Sequence, residues 1–377
     1  MKNYFFTIFV LFFLSSTKLY AIDTKAEQAI VMDFDTNEIL FEKNSNVKTP
    51  PASMTKIMTI YVAFDRIKNT DLSIANECLV SAKAYKMGGS RTFLEIDDNV
   101  SIDELLKGVI IQSGNDASVA LAECLAGTEN DFAKLMNFYA NRLGMINTNF
   151  LNSSGWPEEN HYSTVYDLAI LSNAVIRDFP FLYLYFSEKE FTYNDIKQPN
   201  RNQLLTSVQG ADGLKTGFTK ASGWGIAATA KRDSRRITTV INGTNSSRSR
   251  LNEATNLINW AFSQTSQKLL IDKNQLIVEV DVWLGNKPRI NLISSKKIVS
   301  TLSFDQIQLM KSSVEYKKPI KAPIKKGEIY GKLKIDIEGR PNIEVDLIAQ
   351  DNVGNVNPLS KAFAAMKYLI FGTSLDE

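Results

Sequence analysis

The chain has 377 residues, of which 44% are hydrophobic and 22% are charged. This is the composition of a globular protein, and the length exceeds what one hydrophobic core ordinarily holds, so we expect two domains. The formal net charge is only +2, and two lysines among residues 1–21 account for it. The remaining chain is neutral overall, which leaves no electrostatic case for a nucleic-acid partner.

Residues 1–21, "MKNYFFTIFVLFFLSSTKLYA", have the pattern of a secretory signal peptide. Lys2 supplies a positive start, and the apolar run after it is as long as a signal-peptide core but short for a bilayer span. Ala21 is a suitable last residue before cleavage, although Leu19 is larger than the small residue preferred two places earlier. We therefore predict export; an uncleaved membrane anchor is the alternative.

The cysteine and histidine content limits the chemistry available to an exported chain. Cys78 and Cys124 are the two cysteines, and they form either one disulfide or two buried thiols. We favour buried thiols, because Cys124 lies on the apolar face of a predicted helix. His161 is the single histidine, so a Ser-His-Asp triad would have to use it, and neither a zinc site nor a cofactor is expected.

From residue 22 to about residue 270, the pattern predicts one sheet with helices packed against it. Residues 28–44 form a predicted hairpin, and "WGIAATAKRDSRRITTVING" contains two further strands around a charged turn. Between them the pattern is mostly helical, starting with a buried helix at 53–68. We expect this helical insertion to form a second lobe of the same domain.

Residues 271–352 have the alternating pattern of a small β-sandwich domain. In "NQLIVEVDVWLGN", Val278, Val280 and Val282 fall on one face, and "GEIYGKLKIDIEGRPNIEVDLIA" repeats the alternation. Residues 353–377 combine a Gly/Asn-rich linker with an amphipathic helix that is too short and too mixed to span a membrane. We predict that this helix lies in the membrane interface as a peripheral anchor; docking on the β domain is the alternative.

A serine followed three residues later by a lysine occurs at several places in this chain. The pairs include Ser15/Lys18, Ser294/Lys297 and Ser53/Lys56, the last within "PASMTKIMT". Only Ser53 opens a buried-looking helix, where the two side chains share a face and the helix's positive end stabilises an oxyanion. Ser53 is therefore a candidate nucleophile with Lys56 as its base, as well as a candidate N-cap.

Two further motifs occur once each. "QSGND" places Ser113 and Asn115 in a loop between two helices, where side chains can face a cleft. "GLKTGFT" places Lys215, Thr216 and Gly217 at the start of a strand, where the glycine lets backbone approach a ligand closely. In order and separation, the three motifs resemble those of the active-site serine penicillin-recognising enzymes.

The resemblance runs from about residue 25 to the last residues of the sequence. Its strings include "PPASMTKIMT", "LLKGVIIQSGNDASVALAE", "HYSTVYDLAIL", "SGWGIAATAKRDSRR" and "IKAPIKKGEIYGKL". On these strings the chain resembles the low-molecular-mass penicillin-binding proteins, specifically D-alanyl-D-alanine carboxypeptidases of the DacA type. The resemblance implies an α/β (α+β) serine penicillin-recognising fold, similar to β-lactamases and transpeptidases, with a helical lobe, a small C-terminal β-sandwich domain and a terminal amphipathic helix.

The resemblance also implies a reaction and a place. The enzyme would remove the terminal D-Ala from peptidoglycan pentapeptide stems through a Ser53 acyl-enzyme, would be acylated by β-lactams, and would act peripherally on the extracytoplasmic face of the bacterial inner membrane. Lys56 would be the base, with its pKa depressed by burial beside Lys215. Ser113 would relay the proton to the leaving amine, and Asn115 would hold the substrate or Lys56. This mechanism uses no histidine, metal or cofactor.

The third motif is implied to bind the substrate's terminal carboxylate. Lys215 and Thr216 would hold that group, and the backbone N–H groups of Ser53 and Phe218 would form the oxyanion hole. Some relatives have histidine where this chain has Phe218, so the side chain's influence on rate stays open while the backbone role does not depend on it.

Residues outside the motifs are weaker candidates. Arg201 and Arg250 fall where the family has positive charges facing the site, and Arg248 competes with Arg250 for that role. His161 is expected to be structural. Asp167 is expected to pack beneath the loop containing "NSSGWPEENHYST", in which Ser154 replaces a histidine of some relatives.

Two alternatives belong to other functional classes. A serine β-lactamase of the same fold would need a glutamate-activated water and an aspartate in the second motif, where this chain has Gly114. A non-catalytic wall-binding protein would not need every reactive side chain that is present here. The balance between hydrolysis and transpeptidation is not readable from the sequence, because water and amine compete for one acyl-enzyme.

Overall fold

The computed structural model describes residues 22–357 together with residues 362 and 366. The predicted signal peptide and most of the predicted amphipathic helix therefore lie outside the described residues. Ala362 and Met366, from that segment, are helical and exposed. Within the described part of the chain, no helix is long and apolar enough to cross a membrane.

The first part of the chain folds around a central sheet of five strands, and two further strand pairs, β3–β4 and β5–β6, lie outside that sheet. The strands of this part are β1 (Gln28–Asp33), β2 (Ile39–Lys43), β3 (Glu77–Leu79), β4 (Asn99–Ser101), β5 (Glu190–Tyr193), β6 (Ile196–Pro199), β7 (Ala211–Thr219), β8 (Gly223–Arg232) and β9 (Arg235–Thr244). Its helices are α1 (Lys56–Asn69), α2 (Ala82–Tyr85), α3 (Ile102–Lys107), α4 (Asn115–Ala126), α5 (Glu129–Arg142), α6 (Val165–Asp178), α7 (Leu204–Ser207) and α8 (Ser247–Gln264), with 3-10 turns at Ala52–Thr55 and Leu182–Ser187 and a π-helical turn at Gly108–Gln112.

The central sheet is antiparallel and covered on both faces. Its strand order is β2-β1-β9-β8-β7. All six residues of β1 are buried, because alternate side chains enter two different cores. Ile30 and Met32 pack into the core shared with α1 and α6, whereas Ala29 and Val31 pack into the core shared with α8. The predicted sheet with a helical lobe is present.

The two cysteines form a disulfide, so the favoured prediction of two buried thiols is wrong. Cys78 in β3 and Cys124 in α4 are bonded, with their Cα atoms 5.5 Å apart. The apolar-face argument failed because Cys124 lies near the end of α4, where its side chain is exposed, while Cys78 is buried beneath it. The bond ties the β3–β4 hairpin to the helix that begins at Asn115.

The second part of the chain is mainly β-structure, as predicted, with one short helix. A six-stranded sheet has the order β14-β16-β17-β12-β11-β15, and β10 pairs with β13. Alternate side chains form a separate core that includes Val280, Leu292 and Leu347. The elements are β10 (Thr265–Ile271), β11 (Leu276–Trp283), β12 (Arg289–Ser294), β13 (Ile298–Ser303), α9 (Phe304–Leu309), β14 (Lys311–Tyr316), β15 (Ile320–Lys321), β16 (Ile329–Asp336) and β17 (Ile343–Ala349).

The joint between the two parts is polar and lies at the β1–β2 turn. Glu38 in this turn forms an ion pair with Arg340 of the β domain at 3.1 Å, and Asp33 accepts a hydrogen bond from Gln267 at 2.8 Å. β10 follows α8 directly and already pairs with β13. The β structure therefore starts at Thr265, six residues before the predicted boundary at 271, because the strand continues straight from the helix without a linker.

Candidate active site

Ser53 lies in the 3-10 turn Ala52–Thr55, immediately before α1. Neither this turn nor α1 has a side-chain N-cap bond, so Ser53 does not act as the cap that its position suggested. Its hydroxyl instead lies 3.2 Å from Nζ of Lys56, and its side chain lines a cleft. The turn directs Ser53 into the cleft and leaves its oxygen free for chemistry.

Lys56 is fully buried beneath Ser53 and is surrounded by oxygen atoms. Its Nζ lies 2.7 Å from Oδ1 of Asn115 and 2.6 Å from the carbonyl oxygen of Ser154. The pKa of Lys56 is lowered to about 7, mainly by burial; the positive charge of Arg201 contributes to this shift, whereas the carboxylate of Asp116 opposes it. Near neutral pH a large fraction of Lys56 is therefore uncharged and able to accept a proton.

The pKa of Lys56 was expected to be depressed by burial beside Lys215. Burial is the main cause, as expected, and the cation that contributes is Arg201. The pKa of Lys215 is itself lowered well below its usual value. Burial is the main cause, and the positive charges of Lys56, Arg201 and Arg250 add to it. The four groups form a positive cluster, in which Lys56 and Lys215 have side chains that are almost completely buried.

The second motif places Ser113 and Asn115 at the junction of the π-helical turn and α4. Ser113 has a left-handed backbone (φ +67°) and only 3% exposure, and it lines the cleft beside Ser53. Gly114 has no room for a side chain, because a Cβ there would be 2.1 Å from Oγ1 of Thr92. Asn115 bridges two elements: Oδ1 accepts from Lys56, and Nδ2 donates to the carbonyl of Gly88 at 2.8 Å.

The third motif lies on β7, the edge strand of the central sheet. Thr216, Gly217 and Phe218 line the cleft. A Cβ at Gly217 would lie 3.0 Å from the carbonyl oxygen of Pro51, so the glycine permits close packing of β7 against the turn that carries Ser53. Gly217 also lines the cleft, and its predicted closeness to a ligand stays a prediction.

The arginine candidates differ in their placement. Arg250 in the first turn of α8 is buried, lines the cleft and lies with its guanidinium 5.3 Å from the ring of Trp224. Arg248 is exposed and is not among the lining residues. Arg201 also lines the cleft, and its Nε donates to the carbonyl of Gln112 at 2.8 Å. Of the two competing arginines, Arg250 is the one that reaches the cleft.

The loop 151–161 contributes contacts that the motifs did not reveal. The carbonyl of Ser154 contacts Lys56, and Glu129 holds the loop by accepting from both the backbone N–H and the hydroxyl of Ser153. His161 accepts from the N–H of Leu151 at Nδ1, so its protonated Nε2 donates to Thr55 at 2.9 Å. Burial lowers the pKa of His161 to about 4, which keeps this ring neutral.

Asp116 and Asp167 are buried carboxylates, and each accepts hydrogen bonds from groups elsewhere in the chain. The Asp116 carboxylate accepts from the backbone N–H groups of Thr92 and Phe93 at 2.8–3.0 Å, which holds a loop beside the cleft. The Asp167 carboxylate accepts from the N–H of Asn147 and the hydroxyl of Thr148, in the segment just before that loop, and it is not among the lining residues; its packing beneath the loop stays a prediction. Among the described residues, no group of three or more His, Cys, Asp or Glu could hold a metal ion.

The cleft has a volume of about 760 Å³ and brings the three motifs together. Lys56 and Lys215 are buried and do not line the cleft. Three aromatic residues do line it: Trp156, and Phe218 and Trp224, whose ring centroids are 4.2 Å apart with the rings tilted by 31°. The lining residues are Ser53, Gly89, Ser90, Ser113, Asn115, Ser154, Gly155, Trp156, Pro157, Arg201, Gln203, Thr216, Gly217, Phe218, Thr219, Lys220, Ala221, Trp224, Ser247 and Arg250. Such a site offers a nucleophile, a buried base and cations suited to an anionic substrate.

Known proteins resemble both parts of the chain. The profile of the D-alanyl-D-alanine carboxypeptidases, peptidase family S11, matches residues 15–246, and that of the C-terminal domain of penicillin-binding protein 5 matches residues 266–355. The D-alanyl-D-alanine carboxypeptidase DacC of Escherichia coli is 37% identical over 349 residues, covering 90% of this chain and 87% of its own.

Two solved structures share the fold over most of the chain. The D-alanyl-D-alanine carboxypeptidase DacD of Francisella tularensis has a TM-score of 0.79 at 30% identity and covers 89% of this chain and 95% of its own. Penicillin-binding protein 5 of Haemophilus influenzae has a TM-score of 0.74 at 32% identity and covers 89% and 100%. These findings confirm the predicted family and fold: the chain belongs to the D-alanyl-D-alanine carboxypeptidases of peptidase family S11, the penicillin-binding serine enzymes of the cell wall.

Proposed function

We propose that this serine-type D-Ala-D-Ala carboxypeptidase uses Ser53 as its nucleophile and Lys56 as its general base. The observation that carries the proposal is the buried Lys56 amine, 3.2 Å from the Ser53 hydroxyl and with its pKa lowered to about 7. A neutral amine has two N–H bonds and one lone pair. If the N–H bonds are donated to Asn115 and Ser154, the lone pair is left to accept the proton of Ser53.

The proposed reaction has two steps, acylation of Ser53 and hydrolysis of the resulting ester. Oγ of Ser53 attacks the carbonyl carbon between the two D-Ala residues while its proton passes to Nζ of Lys56. The C–N bond then breaks, and the proton held by Lys56 is relayed through the hydroxyl of Ser113 to the leaving nitrogen. Free D-Ala departs and the Ser53 ester remains. Water hydrolyses this ester, which restores the Ser53 hydroxyl and releases the shortened stem peptide.

The positive cluster supports recognition of the substrate's terminal carboxylate. Lys215, Arg201 and Arg250 surround the end of the cleft formed by β7, and burial and the charge of Arg201 lower the pKa of Arg250 to about 10. A bound carboxylate would relieve the repulsion within this cluster. Thr216 would add a hydroxyl contact, and the N–H groups of Ser53 and Phe218, on facing segments, would stabilise the oxyanion.

β-Lactams are the proposed inhibitors, because they would acylate the same serine. The β-lactamase alternative is not favoured by the family match, and Gly114, packed against Thr92, leaves no space for an aspartate. We further propose that the enzyme acts outside the cytoplasm and is held to the membrane peripherally by residues 353–377. The Cys78–Cys124 disulfide supports an oxidising compartment.

Covalent labelling tests the nucleophile. The protein should bind labelled penicillin covalently and release D-Ala from a D-Ala-D-Ala peptide, whereas S53A should do neither. S294A is a matched control, because Ser294 heads another Ser-x-x-Lys sequence and lies in the β domain; it should keep both activities. Labelling of S53A, or rapid complete turnover of penicillin by the unmodified enzyme, would overturn the proposal.

The location has its own test. Deletion of residues 358–377 should move the protein from the membrane fraction to the soluble fraction without reducing penicillin labelling. Unchanged sedimentation with membranes would contradict the proposed anchor.

A further inference from the structure

Positive charge is concentrated at one end of the β domain, where the chain leaves the described region. Three segments meet there: 283–288, 317–328 and 351–357. They contain six lysines and only two carboxylates, Glu328 and Asp351, although the whole chain has a net charge of just +2. We call the lysines the distal lysine cluster; they are Lys287, Lys317, Lys318, Lys321, Lys325 and Lys326.

Backbone hydrogen bonds hold the three segments together. The N–H of Ala322 donates to the carbonyl of Trp283, Ile324 pairs with Val353, and Gly285 pairs with Asn355. The lysines are therefore carried on a folded surface that lies beside the start of the predicted linker.

The strand pattern turns these lysines outward. Ile320, Ala322 and Ile324 are buried in the β-domain core with 2–5% exposure, so the residues between and after them, Lys321 and Lys325, point to solvent. All six lysines of the cluster are exposed. Within residues 22–357, only Lys325 of the six has an ion pair, with Glu328 at 3.6 Å.

The cluster lies at the opposite end of the β domain from the catalytic part. β16 begins just after Lys326 and runs to the turn containing Arg340, which pairs with Glu38 of the β1–β2 turn. Its eight residues correspond to about 25 Å of extended strand. The lysines are thus directed away from the enzyme's other domain, and the chain continues from this same end into residues 358–377.

We propose that the distal lysine cluster is a docking face for anionic phospholipid headgroups. Each lysine near a negatively charged bilayer contributes about 1 kcal/mol of attraction. Trp283, 39% exposed and with Nζ of Lys321 5.7 Å from its ring centre, adds an aromatic group of the kind enriched at membrane interfaces. The face and the adjoining amphipathic segment would contact one surface, with the cleft held away from it.

Vesicle sedimentation of the full chain tests this face. Neutral phosphatidylcholine vesicles are compared with vesicles that also contain phosphatidylglycerol, at low and high salt. The unmodified protein should bind the anionic vesicles more tightly, and salt should weaken that binding. The variant K317Q/K318Q/K321Q should lose about fivefold for each lysine that reaches the headgroups, hence roughly 100-fold in total, with no change on neutral vesicles.

A matched variant controls for net charge and folding. K134Q/K189Q/K231Q removes three exposed lysines of the catalytic part and should bind anionic vesicles as the unmodified protein does. Both variants should keep normal penicillin labelling, since none of these lysines lines the cleft.

The inference rests on the proposed membrane location, and different experimental results would refute the location and the lysine face. No vesicle binding by the unmodified protein would refute both. Binding of the cluster variant equal to that of the unmodified protein, equal losses in both triple variants, or a loss seen only on isolated cell-wall polymer would refute the lysine face alone.

Discussion

Loss of the Cys78–Cys124 disulfide should destabilise the catalytic part without removing its chemistry. The bond encloses the second motif and the loop beside the cleft, but neither cysteine lines the cleft. C124A is the preferred variant, because Cys124 is exposed while Cys78 is buried. The substitution opens the disulfide, keeps the volume of the buried side chain and avoids a cavity.

The size of the effect follows from the length of chain that the bond closes. The two cysteines are 46 residues apart, and the loop-entropy relation gives about 4 kcal/mol for a closed loop of that length at 25 °C. We therefore expect the free energy of unfolding of the catalytic part to fall by about 4 kcal/mol. Penicillin labelling well below the melting temperature should change little, because the contacts of Lys56 with Asn115 and Ser154 do not involve the sulfurs.

Urea unfolding followed by tryptophan fluorescence measures this change. A reductant should lower the midpoint of the unmodified protein to that of C124A and should leave C124A unaffected. Equal midpoints for C124A and the oxidised unmodified protein would refute the reasoning, since the enclosed loop would then impose no constraint on the unfolded chain. Loss of labelling with unchanged stability would equally contradict it.

Three further substitutions or conditions probe the site itself. Because Lys56 must be neutral to accept a proton and its pKa is about 7, the rate of acylation by penicillin should rise as the pH increases from about 5 to about 9, with half of the maximum near 7; a rate that is flat or falls over this range would exclude Lys56 as the base. N115A removes a hydrogen bond to Lys56 and should slow acylation roughly 10- to 100-fold, and stopped-flow labelling at an unperturbed rate would contradict that role. G155A would place a Cβ 1.8 Å from the carbonyl oxygen of Ala52, whereas G127A has a similar backbone angle and open space. G155A should therefore lose acylation and thermal stability, while G127A should show only the small cost of its backbone conformation, and equal behaviour of the two would rule out the steric explanation.

The sequence was sufficient to name the proposed reactive groups, because their chemistry depends on residue type. Residue types and their order are enough to recognise a Ser and a Lys one turn apart, an SGN loop and a KTG strand. Ser53, Lys56, Ser113 and Lys215 could therefore be named without coordinates. The alternation of Val278 to Val282 predicted a β strand in the same way, since a two-residue period has one structural meaning.

Other features depended on contacts between distant parts of the chain. The acceptor at Ser154 is a backbone carbonyl 98 residues from Lys56, and any residue could supply it. The pairing of Cys78 with Cys124 required the β3–β4 hairpin to pack beside α4, which a helical pattern alone does not show.

The sequence by itself determined the family, the three motifs and the division into a catalytic and a β part. Only the tertiary structure decided that Arg250 rather than Arg248 reaches the cleft, because residues two apart on a helix point in different directions and the packing of α8 determines which of them faces the cleft. It also decided the environment that lowers the pKa of Lys56, since desolvation arises from the atoms packed around the amine and not from its neighbours in sequence.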